Sequence, residues 1–138
     1  MAGQEEVVVD ASVIVKWFSE EEGIEEALKV REDHIVGTKF IIAPDLMIYE
    51  LLNTLRFKPG FNNTKVGRAI ADIFSMQIDL ITPSEDLARR CSNLAFRFGI
   101  TVYDACYIAL GELMGIRVLT SDKKFYGLAK RCGFLALI

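Results

Sequence analysis

The sequence contains a single histidine, His34, and it lies in a charged stretch. This scarcity argues against a metal site built from several histidines and against a nucleophile that needs a histidine base. The three cysteines are widely spaced and form no Cys-x-x-Cys pair. We therefore expect reduced thiols in a cytoplasmic protein, neither zinc ligands nor a disulfide framework.

Several longer signals are also missing from the chain. No glycine-rich phosphate loop of the P-loop or dinucleotide type is present. Charged residues interrupt every apolar stretch before it reaches about 18 residues, so no transmembrane helix and no membrane partner are expected. The N-terminal residues are polar and acidic, unlike a signal peptide. These absences argue against nucleotide-binding and membrane-spanning classes of protein.

The bulk composition is that of an ordinary globular protein. The 138 residues are 51% hydrophobic and 25% charged, which predicts one domain spanning residues 1–138. A net charge of −3 does not by itself suggest nucleic-acid binding, but net charge hides how charges are distributed. Short basic groups could hold phosphates or could simply be solvated surface residues. These groups contain Arg56, Lys58, Lys65, Arg68, Lys123, Lys124, Lys130 and Arg131.

Apolar segments of strand character alternate with segments of helical character. The pattern predicts strands at 6–10, 39–43, 79–82, 117–120 and 134–137. It predicts helices at 12–18, 20–32, 44–57, 64–76, 83–98, 103–114 and 123–131. This alternation predicts an α/β fold whose mainly parallel sheet is covered on both faces.

Helix starts are predicted from capping residues and charge. The acidic run at 20–22 favours the beginning of the second helix. Pro44 ends the second strand and suits the first turn of the next helix. Thr64 is a candidate cap, and Thr82 followed by Pro83 predicts a capping box with proline at the first helical position.

Four acidic residues lie in or beside apolar segments, where acids are scarce. Asp10 follows three valines, and Asp122 also ends a predicted strand. Glu50 and Asp104 fall in the first two turns of predicted helices. Sites in parallel sheets form at the carboxyl ends of the strands, so these four acids can converge at one edge.

A cluster of four carboxylates is costly without a cation. Two such charges about 5 Å apart repel by roughly 3 kcal/mol at an effective dielectric constant near 20. Mg²⁺ or Mn²⁺ would relieve this repulsion, because hard cations prefer oxygen ligands. Water activated by such an ion can hydrolyse a phosphodiester without any histidine. The pattern therefore favours a divalent-metal hydrolase.

Each acid also has a purely structural interpretation. Asp10 and Asp122 could each cap the helix that follows. Glu50 could lie on the wet side of its helix, and Asp104 could belong to a capping arrangement with Thr101. The functional interpretation depends on the joint positions of the four residues.

Three hydroxyl side chains lie close to these acids in the sequence. Ser12, Thr120 and Ser121 have no histidine partner, so a nucleophilic triad is not expected. They could instead orient a carboxylate or a water molecule. Tyr107 is interpreted as a core residue.

The ordered set of these motifs resembles the PIN-domain ribonucleases, and among them the VapC-type toxins of toxin–antitoxin pairs. The motifs are VVDASVIVK at 8–16, Glu50 with Asn53 on the helix after Pro44, YDACY at 103–107 and LTSD at 119–122. Each motif is weak alone, whereas the four in this order cover nearly the whole chain.

The resemblance implies a three-layer α/β/α sandwich with a central parallel sheet. It also implies Mg²⁺- or Mn²⁺-dependent endoribonuclease activity on single-stranded or loop RNA, a homodimer, and a cognate antitoxin that inserts a segment near the site. One departure is the pair Lys123 and Lys124, where some relatives have a further acid. The missing acid weakens the case for a second metal ion, and the two lysines could contact phosphates instead.

By the same resemblance, the acids form the catalytic and metal-binding core, and three polar residues support them. The acidic residues are Asp10, Glu50, Asp104 and Asp122, and the supporting residues are Ser12, Asn53 and Thr120.

Two other functions remain as alternatives. A phospho-accepting switch of the receiver type also has an aspartate after its first strand, but no second acid lies beside Asp10 in the sequence. A non-catalytic PIN-like scaffold that binds RNA or protein would be expected to lose some of its acids, whereas this chain has all four.

Overall fold

A computed structural model of the protein describes residues 4–19 and 23–138. The strands in these residues are β1 (Glu5–Val9), β2 (Lys39–Pro44), β3 (Asp79–Ile81), β4 (Val118–Thr120) and β5 (Leu135–Leu137). The α-helices are α1 (Ala11–Val15), α2 (Glu25–Val36), α3 (Leu46–Phe57), α4 (Asn63–Ser75), α5 (Glu85–Phe98), α6 (Val102–Met114) and α7 (Lys123–Ala129). Short 3-10 turns follow α1 and α7, at Lys16–Phe18 and Lys130–Cys132.

The five strands form one parallel sheet in the order β3-β2-β1-β4-β5. The chain adds strands outward from β1 to β3 and then returns to place β4 on the other side of β1. Ligand sites of open parallel sheets form where the strand order reverses in this way. The predicted α/β/α sandwich is confirmed. The receiver-type alternative is wrong, because that fold orders its strands 2-1-3-4-5.

The core explains why both faces of the sheet are covered. Successive side chains of a strand point to opposite faces, yet Val7, Val8 and Val9 are all fully buried. Helices must therefore pack against both faces of β1. On α3, Met47, Leu51 and Leu55 form a buried stripe with a spacing of four residues, as expected for a helix that packs by one side.

The first half of the chain departs from the predicted boundaries in three places. The predicted start of the second helix at residues 20–22 lies outside the described residues, and α2 extends four residues beyond the predicted end to Val36. Pro44 is the last residue of β2 and not part of the first helical turn, since α3 begins at Leu46. The cap of α4 is Asn62, whose side chain accepts from the Lys65 N–H, so the prediction of Thr64 was wrong.

The predicted capping box at the start of α5 is displaced by two residues. Ser84, not Thr82, caps the helix, and its hydroxyl accepts from the Leu87 N–H at 3.1 Å. Pro83, the residue before Ser84, lies outside the helix. The chain is still extended there, because β3 pairs with β2 as far as Ile81.

His34 has a structural role in this fold. The Ile41 N–H donates to its Nδ1 at 3.0 Å, and its Nε2 lies 2.6 Å from the Met76 carbonyl oxygen. A backbone N–H can only donate and a carbonyl can only accept, so the ring carries its proton on Nε2. The single histidine therefore joins α2 to β2 and to the end of α4.

Two further expectations concern membranes and thiols. Among the described residues, no single helix is both long enough and apolar enough to cross a membrane. Helices α5 and α6 do not form one continuous helix, because the chain bends by 116° between them. The three cysteines are free, although the sulfurs of Cys91 and Cys106 are 3.3 Å apart.

Two helical glycines give a matched test of the packing of α6. A Cβ on Gly111 would lie 2.5 Å from Val118 Cγ2 and 2.9 Å from the Ile116 carbonyl oxygen, whereas a Cβ on Gly67 in α4 would meet nothing within 4 Å. We predict that Gly111→Ala lowers the free energy of unfolding by about 1–3 kcal/mol through overpacking. Gly67→Ala should raise it by about 0.5–1 kcal/mol through helix propensity. Urea unfolding measures both, and equal effects of the two substitutions would contradict the close approach of α6 to β4.

Candidate active site

Asp10 is held at the point where the strand order reverses. It follows β1 directly, and its N–H donates to the Leu119 carbonyl of β4 at 2.9 Å. Its side chain is only 5% exposed, and Oδ2 accepts from the hydroxyls of Ser12 and Thr120, each at 2.7 Å. Asp10 occupies the N-cap position of α1, but its side chain makes no capping hydrogen bond. The fold instead uses neighbouring hydroxyls to satisfy a buried carboxylate.

The hydroxyls are themselves fixed by contacts between α1 and the carboxyl end of β4. The Ser12 and Thr120 oxygens lie 3.2 Å apart, and the Ser121 N–H donates to the Ser12 hydroxyl at 2.9 Å. The Asp122 N–H donates to the Thr120 hydroxyl at 3.1 Å. The Ser121 hydroxyl, in contrast, donates to the Ile138 carbonyl at 3.0 Å. Ser121 therefore supports the network through its backbone, and the expectation that its hydroxyl orients a carboxylate is not met.

Glu50 reaches the same edge of the sheet from α3. It lies beside the buried stripe of that helix and is half-buried, so it is not simply on the wet side. Its Oε1 accepts from the Tyr107 hydroxyl of α6 at 2.6 Å. Tyr107 is fully buried, as predicted, but its hydroxyl contact with an acid was missed. Asn53 is exposed on α3, one turn beyond Glu50.

Asp104 and Asp122 each take part in capping a helix. The Thr101 hydroxyl accepts from the Asp104 N–H at 3.0 Å, so Thr101 caps α6. Asp122 caps α7, since its Oδ1 accepts from the Phe125 N–H at 3.0 Å. The structural interpretation of Asp122 is confirmed. It does not exclude the functional one, because a carboxylate has further lone pairs to offer.

Charges of neighbouring acids act on the pKa values of Asp10, Glu50 and Asp104, and Asp122 is among the acids that act on Asp10 and Asp104. Burial raises the pKa of Asp10, the hydrogen bonds from Ser12 and Thr120 lower it, and the charge of Asp122 raises it. Burial also raises the pKa of Glu50, the Tyr107 hydrogen bond opposes this effect, and the charges of Asp10 and Asp104 add to it.

Asp104 shows the clearest shift of the four. Burial, together with the charges of Asp10 and Asp122, raises its pKa from the ordinary 3.8 to about 6. The positive charge of Lys124 acts in the opposite direction. A carboxyl group with such a pKa is partly protonated near neutral pH unless a cation compensates its charge.

The donor chemistry of this cluster fits a hard divalent cation. All four side chains offer carboxylate oxygens, which Mg²⁺ and Mn²⁺ prefer over nitrogen or sulfur. Within residues 4–19 and 23–138, however, no three acidic, histidine or cysteine side chains are arranged as a metal ligand set. Electrostatic effects extend about 8–10 Å, much farther than a coordination bond. The four acids therefore act on one another electrostatically without forming a preassembled ligand set in the described residues.

Without metal, the raised pKa of Asp104 makes the stability of the fold fall as pH increases. The folded state binds a proton on Asp104 up to about pH 6, whereas the unfolded chain releases it near pH 4. Its stabilising contribution is therefore complete below about pH 4 and lost as pH rises above 6. We predict that wild type loses about 1–2 kcal/mol relative to Asp104→Asn between pH 4.5 and about 7.5, allowing for partial exposure.

Urea unfolding in EDTA across this pH range measures the difference. The difference in free energy of unfolding between wild type and Asp104→Asn contains no contribution from groups that titrate equally in both proteins. Parallel stability curves for the two proteins would contradict the raised pKa.

The comparison with known sequences agrees with this arrangement. A family model described as the PIN domain matches residues 7–131. Ribonuclease VapC3 of Pyrobaculum aerophilum is 30% identical over 122 residues, which cover 86% of this chain and 90% of the relative. The residues matched by the family model include all four acids.

Solved structures share the fold across most of the chain. PAE2754 of Pyrobaculum aerophilum has a TM-score of 0.66 at 21% identity, covering 98% of this chain and 87% of its own. VapC20 of Mycobacterium tuberculosis, a toxin that cleaves the sarcin–ricin loop, has a TM-score of 0.69 at 16% identity, covering 88% and 93%. VapBC2 of Rickettsia felis, bound to a promoter DNA fragment, has a TM-score of 0.64 at 14% identity, covering 96% and 97%. The protein therefore belongs to the PIN-domain family, among relatives of the VapC type.

Proposed function

We propose that the protein is a metal-dependent endoribonuclease that hydrolyses RNA phosphodiester bonds at its acidic cluster. The observation that carries the proposal is that four carboxylates lie within electrostatic range of one another at the edge where the strand order reverses. Two of them follow β1 and β4, and the other two lie on α3 and α6. Family membership supports the same activity, since the relative VapC3 is named a ribonuclease. The four residues are Asp10, Glu50, Asp104 and Asp122.

These side chains would hold Mg²⁺ or Mn²⁺ and would fix the position of the scissile phosphate. When bound, the ion supplies an activated water and stabilises the charge that develops on the phosphate. Asp10 is the best-ordered ligand, because two hydroxyls and the backbone of β4 fix it before any ion binds. Glu50 and Asp104 approach from separate helices, and Asp122 completes the set beside Thr120.

Two lysines provide positive charge next to the acids. Lys123 and Lys124 are exposed at the start of α7, directly after Asp122. Lys124 is close enough to lower the pKa of Asp104. We infer that this pair contacts RNA phosphates on either side of the cleaved bond, which counters the repulsion between a polyanion and an acidic site.

Toxin function, an antitoxin partner and a homodimer complete the proposal. Relatives of the same fold were solved as toxin–antitoxin complexes from Klebsiella pneumoniae and Rickettsia felis. Large apolar side chains remain exposed on this chain, among them Tyr49 at 74% and Phe96 at 89%. Exposed apolar groups of this kind suit contact with a partner protein. We place this activity in the cytoplasm, where RNA substrates occur.

The central prediction is that Asp10→Asn abolishes RNA cleavage while the fold persists. The amide has nearly the same shape but removes a charged ligand, so cleavage of single-stranded RNA with Mn²⁺ should fall at least about 100-fold. Asp79→Asn is the matched control, because Asp79 is exposed at the amino end of β3, on the opposite edge of the sheet. EDTA should stop wild-type cleavage. Undiminished cleavage by purified Asp10→Asn would refute the proposal, and RNA binding without cleavage by wild type would favour the scaffold alternative.

The lysine pair should act on RNA binding through charge. We predict that the double variant Lys123→Ala with Lys124→Ala weakens RNA binding. The slope of the logarithm of the binding constant against the logarithm of the salt concentration should become shallower by about 1.4, since each phosphate that is no longer neutralised contributes about 0.7. Arg117→Ala removes a positive charge at the amino end of β4, where Arg117 pairs with Glu5, and serves as the control. Fluorescence anisotropy with RNA in Ca²⁺ buffer measures the slopes. Equal slopes for all three proteins would show that these lysines do not contact phosphates.

A further inference from the structure

Tyr107 carries a hydroxyl group from the core to the acidic cluster, where it meets Glu50 and the backbone N–H of Ala11. It is the largest of the fully buried side chains, and its hydroxyl donates to Glu50 Oε1 at 2.6 Å. The two residues are 57 positions apart and belong to different helices, α6 and α3. Because the ring is packed on all sides, the position of the hydroxyl is set by the core and not by the site.

Glu50 depends on a hydrogen bond from a fixed donor more than Asp10 does. Asp10 is fixed by two hydroxyls and by its own backbone at the end of β1. Glu50 is half-buried on α3 and has a longer side chain with more rotamers, whose loss on binding an ion costs free energy. The Tyr107 hydroxyl holds one carboxylate oxygen in place before any ion arrives.

The chemistry of the contact suits an ion ligand. Burial and the nearby charges of Asp10 and Glu50 raise the pKa of Tyr107, so its hydroxyl remains protonated and acts as a donor. Its hydrogen bond lowers the pKa of Glu50 and so favours the ionised form against burial. A single donor on Oε1 leaves Oε2 available to a cation.

We propose that Tyr107 is the positioning residue of Glu50, and that it orients this carboxylate for divalent-metal binding at the acidic cluster. The inference rests on the proposed function, because it requires that the cluster bind a metal ion. Tyr107 contacts neither the metal nor RNA, and it acts through Glu50 alone. In metal sites, residues that orient a ligand from behind change metal affinity by roughly 10–100-fold when they are replaced.

Mn²⁺ binding to metal-free protein tests this role. Isothermal titration should show that Tyr107→Phe, which keeps the buried ring, weakens Mn²⁺ affinity by roughly 10-fold. Tyr103→Phe is the matched control, because it makes the same change on the same helix at a ring that is 64% exposed, and it should leave the affinity unchanged. In a Glu50→Gln background, Tyr107→Phe should change the affinity by less than about 2-fold, since the partner through which it acts is gone.

The outcomes separate this inference from the function on which it rests. If wild type binds no Mn²⁺, the proposed function fails, and the role of Tyr107 fails with it. If wild type binds Mn²⁺ and Tyr107→Phe binds it equally well, only the positioning role is overturned. A variant that is less stable in EDTA but has unchanged Mn²⁺ affinity would likewise assign Tyr107 to the core alone. Equal losses of affinity with and without the Glu50 carboxylate would show that Tyr107 does not act through Glu50.

Discussion

The buried carboxylate of Asp10, held between β1 and β4, is the constraint on which the rest of the site depends. A charged group at 5% exposure is costly unless it is hydrogen-bonded or paired with a cation. The fold satisfies one oxygen with the hydroxyls of Ser12 and Thr120. These partners meet only because β4 returns to the side of β1, which makes the order of the strands a requirement of the site.

Ionisation of the clustered acids lowers the stability of the metal-free protein. Each of Asp10, Glu50 and Asp104 has a raised pKa, so the metal-free protein gains stability when protons occupy the cluster. Binding of a cation would serve the same purpose at neutral pH and would leave the carboxylates ionised. Clustered acids without compensation repel one another. Their position beside the lysines of α7 suits the phosphodiester hydrolysis that we propose.

Much of this arrangement could be predicted from the sequence. The run of valines before Asp10 predicts a strand that is buried on both faces, and the alternation of elements predicts a parallel sheet with acids at its carboxyl edge. The details that failed were local choices between equivalent residues. Thr82 and Ser84 can both cap a helix, and the pairing of β3 as far as Ile81 decides for Ser84.

Long-range contacts could not be predicted from the sequence, and the reason is different. The hydrogen bond from Tyr107 to Glu50 joins two helices across 57 positions of the chain, and no spacing rule connects the two residues. The Ser121 hydroxyl likewise turns to the Ile138 carbonyl, because β5 ends beside β4. A motif identifies which residues carry the chemistry, whereas the tertiary structure determines which side chains orient them.

An anomalous difference map from crystals soaked in Mn²⁺ would reveal whether the four acids form one cation site. We expect a Mn²⁺ peak bound by Asp10 and at least one of Glu50, Asp104 and Asp122. A map with no peak at this edge of the sheet, or with Mn²⁺ bound only at acids elsewhere on the surface, would contradict this expectation.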